Sequence, residues 1–350
     1  MREGFQVVAG YDSDATCKFA YEANNRGAKF VHKGIERTTA EEITGKLRAA
    51  ETRILVGCAP CQAFSLYTVK QKKTDKWKLL SEFRRLIRDV APEIVSMENV
   101  PELGRHNAFH EFLDALRELG YHLSHSIVNC PDYGVPQSRK RLVLFASKLG
   151  AITIIPKTHY KGRMRTVRKA IGHLERIGAG ERSSKDRIHQ ARRLDAVNLE
   201  RIQNTPAGGS WKDWPERLKL DCHRKSSGKT YRSIYGRMNW DQPAPTLTTH
   251  CTGIGNGRYG HPEQDRAISL REAALIQSFP VKYKFVAPRE KVHIKLVSRH
   301  VGNAVPVRLG RVIARSIRKH LEEVGRCEKQ GPTHQASEKR VNGEGATKGH

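Results

Sequence analysis

The stretch Gly57-Cys58-Ala59-Pro60-Cys61-Gln62-Ala63-Phe64-Ser65 follows a short apolar run, Arg53-Ile54-Leu55-Val56, of the kind that forms a buried parallel strand. A thiol on a tight loop at the carboxyl edge of a sheet stands where open α/β sheets bind ligands. Cys61 is therefore a candidate nucleophile. Two other readings stand beside it. A single cysteine is often a small core residue. Cys58 and Cys61 also form a C-x-x-C pair, which suits a redox dithiol or zinc. Structural zinc needs a second ligand pair, and Cys222-His223 and Cys251 are scattered, so no metal is expected.

Two more segments carry reactive groups. Glu98 follows the apolar run 93–97, and Arg139 and Arg141 lie in Gln137-Ser138-Arg139-Lys140-Arg141, just before the run 142–146. If these runs are strands of one sheet, Cys61, Glu98, Arg139 and Arg141 converge on one pocket. A thiolate beside a carboxylic acid and two guanidiniums suits attack on an electron-poor heteroaromatic ring. The acid neutralises charge developing on a ring nitrogen, and the guanidiniums hold an oxygen and favour the thiolate. Asp12 ends the first apolar segment, where α/β nucleoside-binding folds place an acid on ribose hydroxyls. An aspartate there also suits a plain turn or helix cap.

The elements that would position these groups alternate. Strands are expected near residues 5–14, 30–35, 53–56, 93–97, 121–129 and 142–146. Helices are expected at 15–24, 41–50, 79–90 and 107–119, the last with Phe109, Phe112, Leu113 and Leu116 at helical spacing and Gly120 as its stop. Alternation of this kind predicts an α/β fold with a doubly wound, mostly parallel sheet. From about Lys148 it fades. Residues 161–235 hold 19 Lys/Arg against 8 Asp/Glu, with Trp211, Trp214 and Tyr231 interleaved. Basic, aromatic loops suit phosphate backbone and unstacked bases; a solvated face with anchoring aromatics is the plainer reading. Ser269 and Glu272 form a capping box ahead of a helix at 269–277, and an amphipathic helix follows Pro306 to about Val324. The polar stretch 326–350 reads as a disordered tail.

Composition narrows the partners. The formal charge of +27 favours a polyanion, most simply nucleic acid. Seven irregularly spaced cysteines suit a reducing, cytoplasmic setting, and no apolar run approaches a membrane span.

Taken in order, Pro60-Cys61-Gln62, Glu98-Asn99-Val100, Gln137-Ser138-Arg139-Lys140-Arg141, Arg271-Glu272 through Gln277-Ser278-Phe279-Pro280, and Gly302-Asn303-Ala304-Val305-Pro306 resemble the motifs of the DNA (cytosine-5)-methyltransferases. The resemblance runs from about Gly4 to Val324 and implies the fold of S-adenosylmethionine-dependent methyltransferases. It implies that Cys61 adds to C6 of a flipped cytosine in double-stranded DNA and that Glu98 contacts N3 and the exocyclic amine. Arg139 is similar to the residue that steadies the cytosine carbonyl and the thiolate. Gln62 and Asn99 lie with the substrate-binding loops, and Gln137 and Arg141 support theirs. Asp12, Pro60, Asn303 and Val305 fall to the S-adenosylmethionine pocket, and the methyl group passes to C5. Base extrusion is required because the target ring is inaccessible inside a duplex.

The implied organisation is a catalytic α/β domain at 1–147 and a smaller basic target-recognition region at 148–260, to which the turn 253–261 adds contacts. The chain then returns to the catalytic domain at 261–325, with a tail at 326–350. The family's opening Phe-x-Gly-x-Gly loop is absent, and Lys33-Gly34-Ile35 stands where the family has Gly-Asp-Ile. The expectation is therefore an N-terminally truncated methyltransferase of a restriction-modification system, in the cytoplasm on the nucleoid, with a second polypeptide as the source of the missing motif. The alternatives are a catalytically impaired DNA-binding remnant, half of a split methyltransferase, or a thiol redox enzyme.

Overall fold

The computed structural model describes residues 3–58, 78–226, 228 and 233–329. Its first half alternates β1 (Ala9–Asp12), α1 (Lys18–Asn24), β2 (Lys29–His32), α2 (Ala40–Lys46), β3 (Ile54–Gly57), α3 (Lys78–Val90), β4 (Ile94–Asn99), α4 (Asn107–Glu118) and β5 (His122–Asn129). The short β6 (Gln137–Ser138) and the long β7 (Lys140–Ser147) close this half. The second half carries α5 (Val167–Ile171), α6 (Ala196–Gln203), α7 (Asp221–Arg224), β8 (Ala244–Pro245), α8 (Leu270–Ile276), α9 (Ile294–Asn303) and α10 (Val307–Lys329).

Local chemistry sets the helix ends. Thr39 caps α2 by accepting from the Glu42 N–H, and Ser269 and Glu272 close the expected capping box on α8. After α4 the chain reverses at Gly120, whose φ of +81° suits glycine. There the Tyr121 N–H returns to the Leu116 carbonyl, capping the helix.

The described strands form three sheets. β3-β4-β7-β5 is the largest, β1 pairs with β2, and β6 pairs with β8. β1–β2, β3–β4 and β6–β8 are parallel, whereas β7 runs antiparallel to both β4 and β5. The reversal follows from the short connection after β5, since a parallel crossover needs a dozen residues or more. Placed between antiparallel neighbours, β7 extends back to Lys140, so Arg141 lies in a strand and not in the loop before it.

Period-two alternation on β4 and β7 divides the core. Val95, Met97, Leu142, Leu144 and Ala146 face α3 and α4, packing with Phe83, Phe109, Phe112 and Leu116. Ile94, Val143 and Phe145 face the other way, against Leu309, Val312, Ile313 and Ile317 of α10. Each such side chain contributes about 1.5–3 kcal/mol on full burial. A third cluster joins α5, α8 and α9.

Between residues 194 and 235 the aromatics take the plainer of their two roles. Trp211 and Trp214 are buried with Leu218, and the His223 ring stacks on Trp211 at 4.3 Å. Both tryptophans are core anchors, closed to bases; Tyr231 lies outside the described residues. α10 continues to Lys329, beyond the expected end at Val324, and the tail beyond it lies outside them too. No helix among the described residues is long and apolar enough to cross a membrane.

Candidate active site

Pairing of β4 with β7 builds the centre of the site. Glu98 lies opposite Val143 and therefore shares a sheet face with Arg141, two residues along β7. The Arg141 Nε stands 2.8 Å from Glu98 Oε1, with both side chains about nine-tenths buried. Burial pushes the Glu98 carboxyl above its ordinary range, while the charges of Arg141 and Arg139 and the Cys58 thiol oppose the shift. A buried acid between two guanidiniums is thus biased toward holding its proton.

Arg139 bridges β6 and β7 and is itself buried. Its Nη1 donates to the Leu247 carbonyl at 2.9 Å and, more weakly, to Gln137 Oε1 at 3.4 Å. Gln137 Oε1 also accepts from the Leu247 N–H at 3.0 Å. Register between β6 and β8, Gln137 opposite Ala244, makes these bonds possible. Asn99 ends β4 and accepts from the Val100 N–H through its side chain at 2.9 Å, turning the chain as it leaves the sheet.

Glu98, Asn99, Gln137, Arg139 and Arg141 are thus brought together at one edge of the large sheet. β3 ends at Gly57 on that same edge, directing the chain toward Cys58 and beyond. Pro60, Cys61 and Gln62 lie outside the described residues. Sequence reasoning missed Cys130, a fully buried thiol whose pKa is pushed up to about 11 by burial, against the pull of Arg139 and Arg141. It also missed the Leu247 carbonyl as the anchor of Arg139. The extended, proline-rich run at 243–249 was its only signal, and which backbone group meets the guanidinium depends on tertiary register.

A second group forms around β1. Asp12 is exposed at the strand's carboxyl end, where its Oδ1 accepts from the Asp14 N–H at 2.8 Å. Asp14 pairs with Arg299 at 2.7 Å, and Thr16 meets His300 at 2.9 Å. These bonds dock the loop after β1 onto the end of α9, which leads into Asn303 and Val305. Val305 packs in the α10-side cluster with Ile54 of β3. Among the described residues, Asp12 thus lies at the end of β1 and Asn303 at the end of α9, while Glu98, Arg139 and Arg141 lie around β4 and β7.

The sequence profile of the C-5 cytosine-specific DNA methylases matches residues 1–319. The chain belongs to this family. The methylase is 56% identical over 323 residues to the Type II methylase M.HgiDII of Herpetosiphon aurantiacus, covering 91% of each chain. It is 30% identical over 308 residues to the Type II methyltransferase M1.BsuMI of Bacillus subtilis, covering 84% of the methylase and 69% of that relative. Among solved structures, DNMT2 of Spodoptera frugiperda matches 91% of the methylase and 94% of its own chain, with a TM-score of 0.59 at 16% identity. Dnmt2 of S. pombe matches 91% of each chain, with a TM-score of 0.56 at 19% identity. These structural likenesses bear on the fold. The methylase is a DNA (cytosine-5)-methyltransferase, an enzyme of DNA methylation of the restriction-modification type. S-adenosylmethionine is the methyl donor that its family implies.

Proposed function

We propose that Glu98, Arg139 and Arg141 form the pocket for an extruded cytosine and that Cys61 attacks it. The observation that carries this is the buried Glu98–Arg141 pair at 2.8 Å, with Arg139 fixed two residues away at the same sheet edge. Glu98 holds a proton at cytosine N3 and accepts from the exocyclic amine. Arg139 donates to the cytosine carbonyl and favours the Cys61 thiolate. Arg141 orients Glu98, while Asn99, Gln137 and Gln62 set the surrounding loops. The thiolate forms a bond to C6, and the ring's electron pair moves toward the N3 that Glu98 protonates. C5 then takes the methyl group, whose donor would depart as a neutral thioether; the C5 proton passes to water as the S–C6 bond breaks and frees the thiolate, and N3 returns its proton to Glu98.

Asp12, Pro60, Asn303 and Val305 would hold S-adenosylmethionine, which supplies the methyl group. The donor set fits: Asp12 offers an exposed carboxylate for hydroxyls, and the Asp14–Arg299 and Thr16–His300 contacts draw the Asn303 segment toward it. The basic region 148–260 would carry target recognition, and its charge suits DNA. DNA as substrate, together with the cysteine usage, supports a cytoplasmic place on the nucleoid.

A second polypeptide contributing one strand has its own support. Among the described residues β1 pairs only with β2 and β3 only with β4, and Val56 on β3 is 62% exposed. Among the described residues, each strand therefore leaves an edge on which a parallel neighbour could pair.

The test is transfer of labelled methyl from S-adenosylmethionine to mixed-sequence DNA. Incorporation that vanishes in Cys61→Ser and Glu98→Ala supports the site. Incorporation that survives both substitutions overturns it.

A further inference from the structure

A basic cluster lies beside the Glu98 site and is not used by the chemistry above. Its floor is Gly134, at φ +76° after the turn Cys130–Tyr133 that leaves β5. A Cβ built there would stand 2.6 Å from the His159 ring and 3.1 Å from Arg308 Nη1, so these two side chains close over the glycine. Arg308 is on the first turn of α10, and Arg165 and Lys169 flank the start of α5. The three cations thus come from both sides of the chain, one from the final helix and two from the basic region.

The cluster lacks internal neutralisation. The chain carries no Asp or Glu between Asp132 and Glu175. Asp132 pairs with Lys157 at 2.9 Å, and Glu3 is taken by Arg311 and Arg315. Among the described residues, Arg165, Lys169 and Arg308 have no carboxylate partner within ion-pair distance. Burial and then Arg165 hold Arg308 below the usual arginine range, and burial, Arg308, Arg165 and Lys169 hold His159 down. The cations repel one another and gain by receiving an anion.

Its location suggests which anion. β5 ends at Asn129 opposite Lys140, so the Cys130–Gly134 turn leaves the sheet at the edge that carries Arg141 and Asn99. Cys130 and Tyr133 pack in the α10-side cluster with Val143, the face Glu98 shares. Tyr160, next to His159, is 60% exposed, an aromatic face beside the cations. Cations with an exposed aromatic suit a sugar–phosphate backbone.

We propose, resting on the reading of DNA as the substrate of the Glu98 site, that His159, Arg165, Lys169 and Arg308 form a clamp for a DNA backbone phosphate and that Tyr160 packs on the adjoining sugar or base. The clamp joins the basic region to α10 and orients the duplex without reading its sequence.

The experiment measures affinity of the full chain for a mixed-sequence duplex across a salt series, for the wild type, Arg165→Ala/Lys169→Ala and Arg308→Ala. Both arginines and the lysine are at the surface or partly so, and thermal melting confirms that each variant is folded. The expected result is a log Kd against log salt slope shallower by about 0.9 for each phosphate no longer neutralised. Affinity falls about tenfold at low salt, equally for duplexes of different sequence, and the kinetic loss falls on KM for DNA and not on KM for S-adenosylmethionine. Slopes coinciding with the wild type, in an enzyme that methylates DNA, overturn the clamp alone. A wild type that does not bind the duplex at any salt concentration overturns the clamp together with the substrate reading beneath it.

Discussion

Gln137 donates from Nε2 to Gln277 Oε1 at 2.6 Å across 140 residues of chain. Gln277 in turn donates to the carbonyls of Val301 and Ala304, each at 2.9 Å. One buried amide pair therefore joins the loop that holds Arg139 to the segment that leads into α10. Both side chains are fully buried, so neither can exchange its partner for water.

Gln277→Leu should leave the Gln137 amide and two carbonyls without partners. Unsatisfied buried groups cost about 1–3 kcal/mol each, so a visible loss of stability is expected, in chemical denaturation. Arg139 is held through Gln137, so kcat should fall more than KM for DNA. A stable variant with wild-type kcat would show that the amide pair does not position Arg139.

Glu98 should set the alkaline side of the pH profile. Burial raises its pKa, and the proton it keeps is the one its proposed role uses. kcat/KM is expected to fall as pH rises through that raised value. Glu98→Gln should lower the rate by roughly 10²–10⁴-fold and flatten that limb. On stability the sign is parallel: with the folded value above the unfolded one, protonated Glu98 favours the fold at low pH, and this is lost as pH rises. An unchanged alkaline limb in Glu98→Gln contradicts the assignment.

Arg266 and Glu272 form a buried bidentate pair, 2.8 Å at both contacts, and Glu272 also accepts from the Ser269 N–H at 2.6 Å. Burial pushes the Glu272 carboxyl up, but Arg266, His261 and the Ser269 N–H together hold it below the ordinary range. Its contribution is present above the unfolded carboxylate value and lost as pH falls through the folded one. Arg266→Met should destabilise by about 3–5 kcal/mol, by stranding a buried carboxylate. Equilibrium urea unfolding measures this, and a cost under about 1 kcal/mol would contradict it.

His261 sits against this pair, and its Nδ1 accepts from the Gln264 N–H at 2.9 Å. Burial lowers its pKa to about 4, against an unperturbed value near 6.5. Between these values the unfolded chain binds a proton that the fold refuses, so stability drops as pH falls from about 6.5 to about 4. His261→Asn should show a smaller change in urea midpoint across that interval than the wild type. An equal change would place the acid sensitivity elsewhere.

Much of this was legible locally. Thr39, Ser269 with Glu272, and Gly120 mark helix ends through bonds within a few residues, and α2, α8 and α4 end where those signals stand. The apolar spacing of Phe109, Phe112, Leu113 and Leu116 gave α4 its buried face. Glu98, Arg139 and Arg141 were legible as members of one group because each adjoins an apolar strand, but the Glu98–Arg141 ion pair was not. The direction of β7 was not, since a five-residue apolar run carries no polarity. Nor were the Gln137–Gln277 bond and the Leu247 anchor, because both depend on partners more than 100 residues apart. Trp211 and Trp214 show the opposite error of reading, in which aromatics within basic sequence served a local core and not a nucleic-acid surface.

The most direct measurement is to trap the protein on a duplex carrying 5-fluorocytosine, with S-adenosylmethionine present, and to map the adduct by mass spectrometry. The fluorine blocks the final loss from C5, so the covalent bond persists. A single adduct is expected on the peptide containing Cys61, absent in Cys61→Ser and strongly reduced in Glu98→Ala. An adduct on Cys58 or Cys130, or one formed equally well without Glu98, would contradict it.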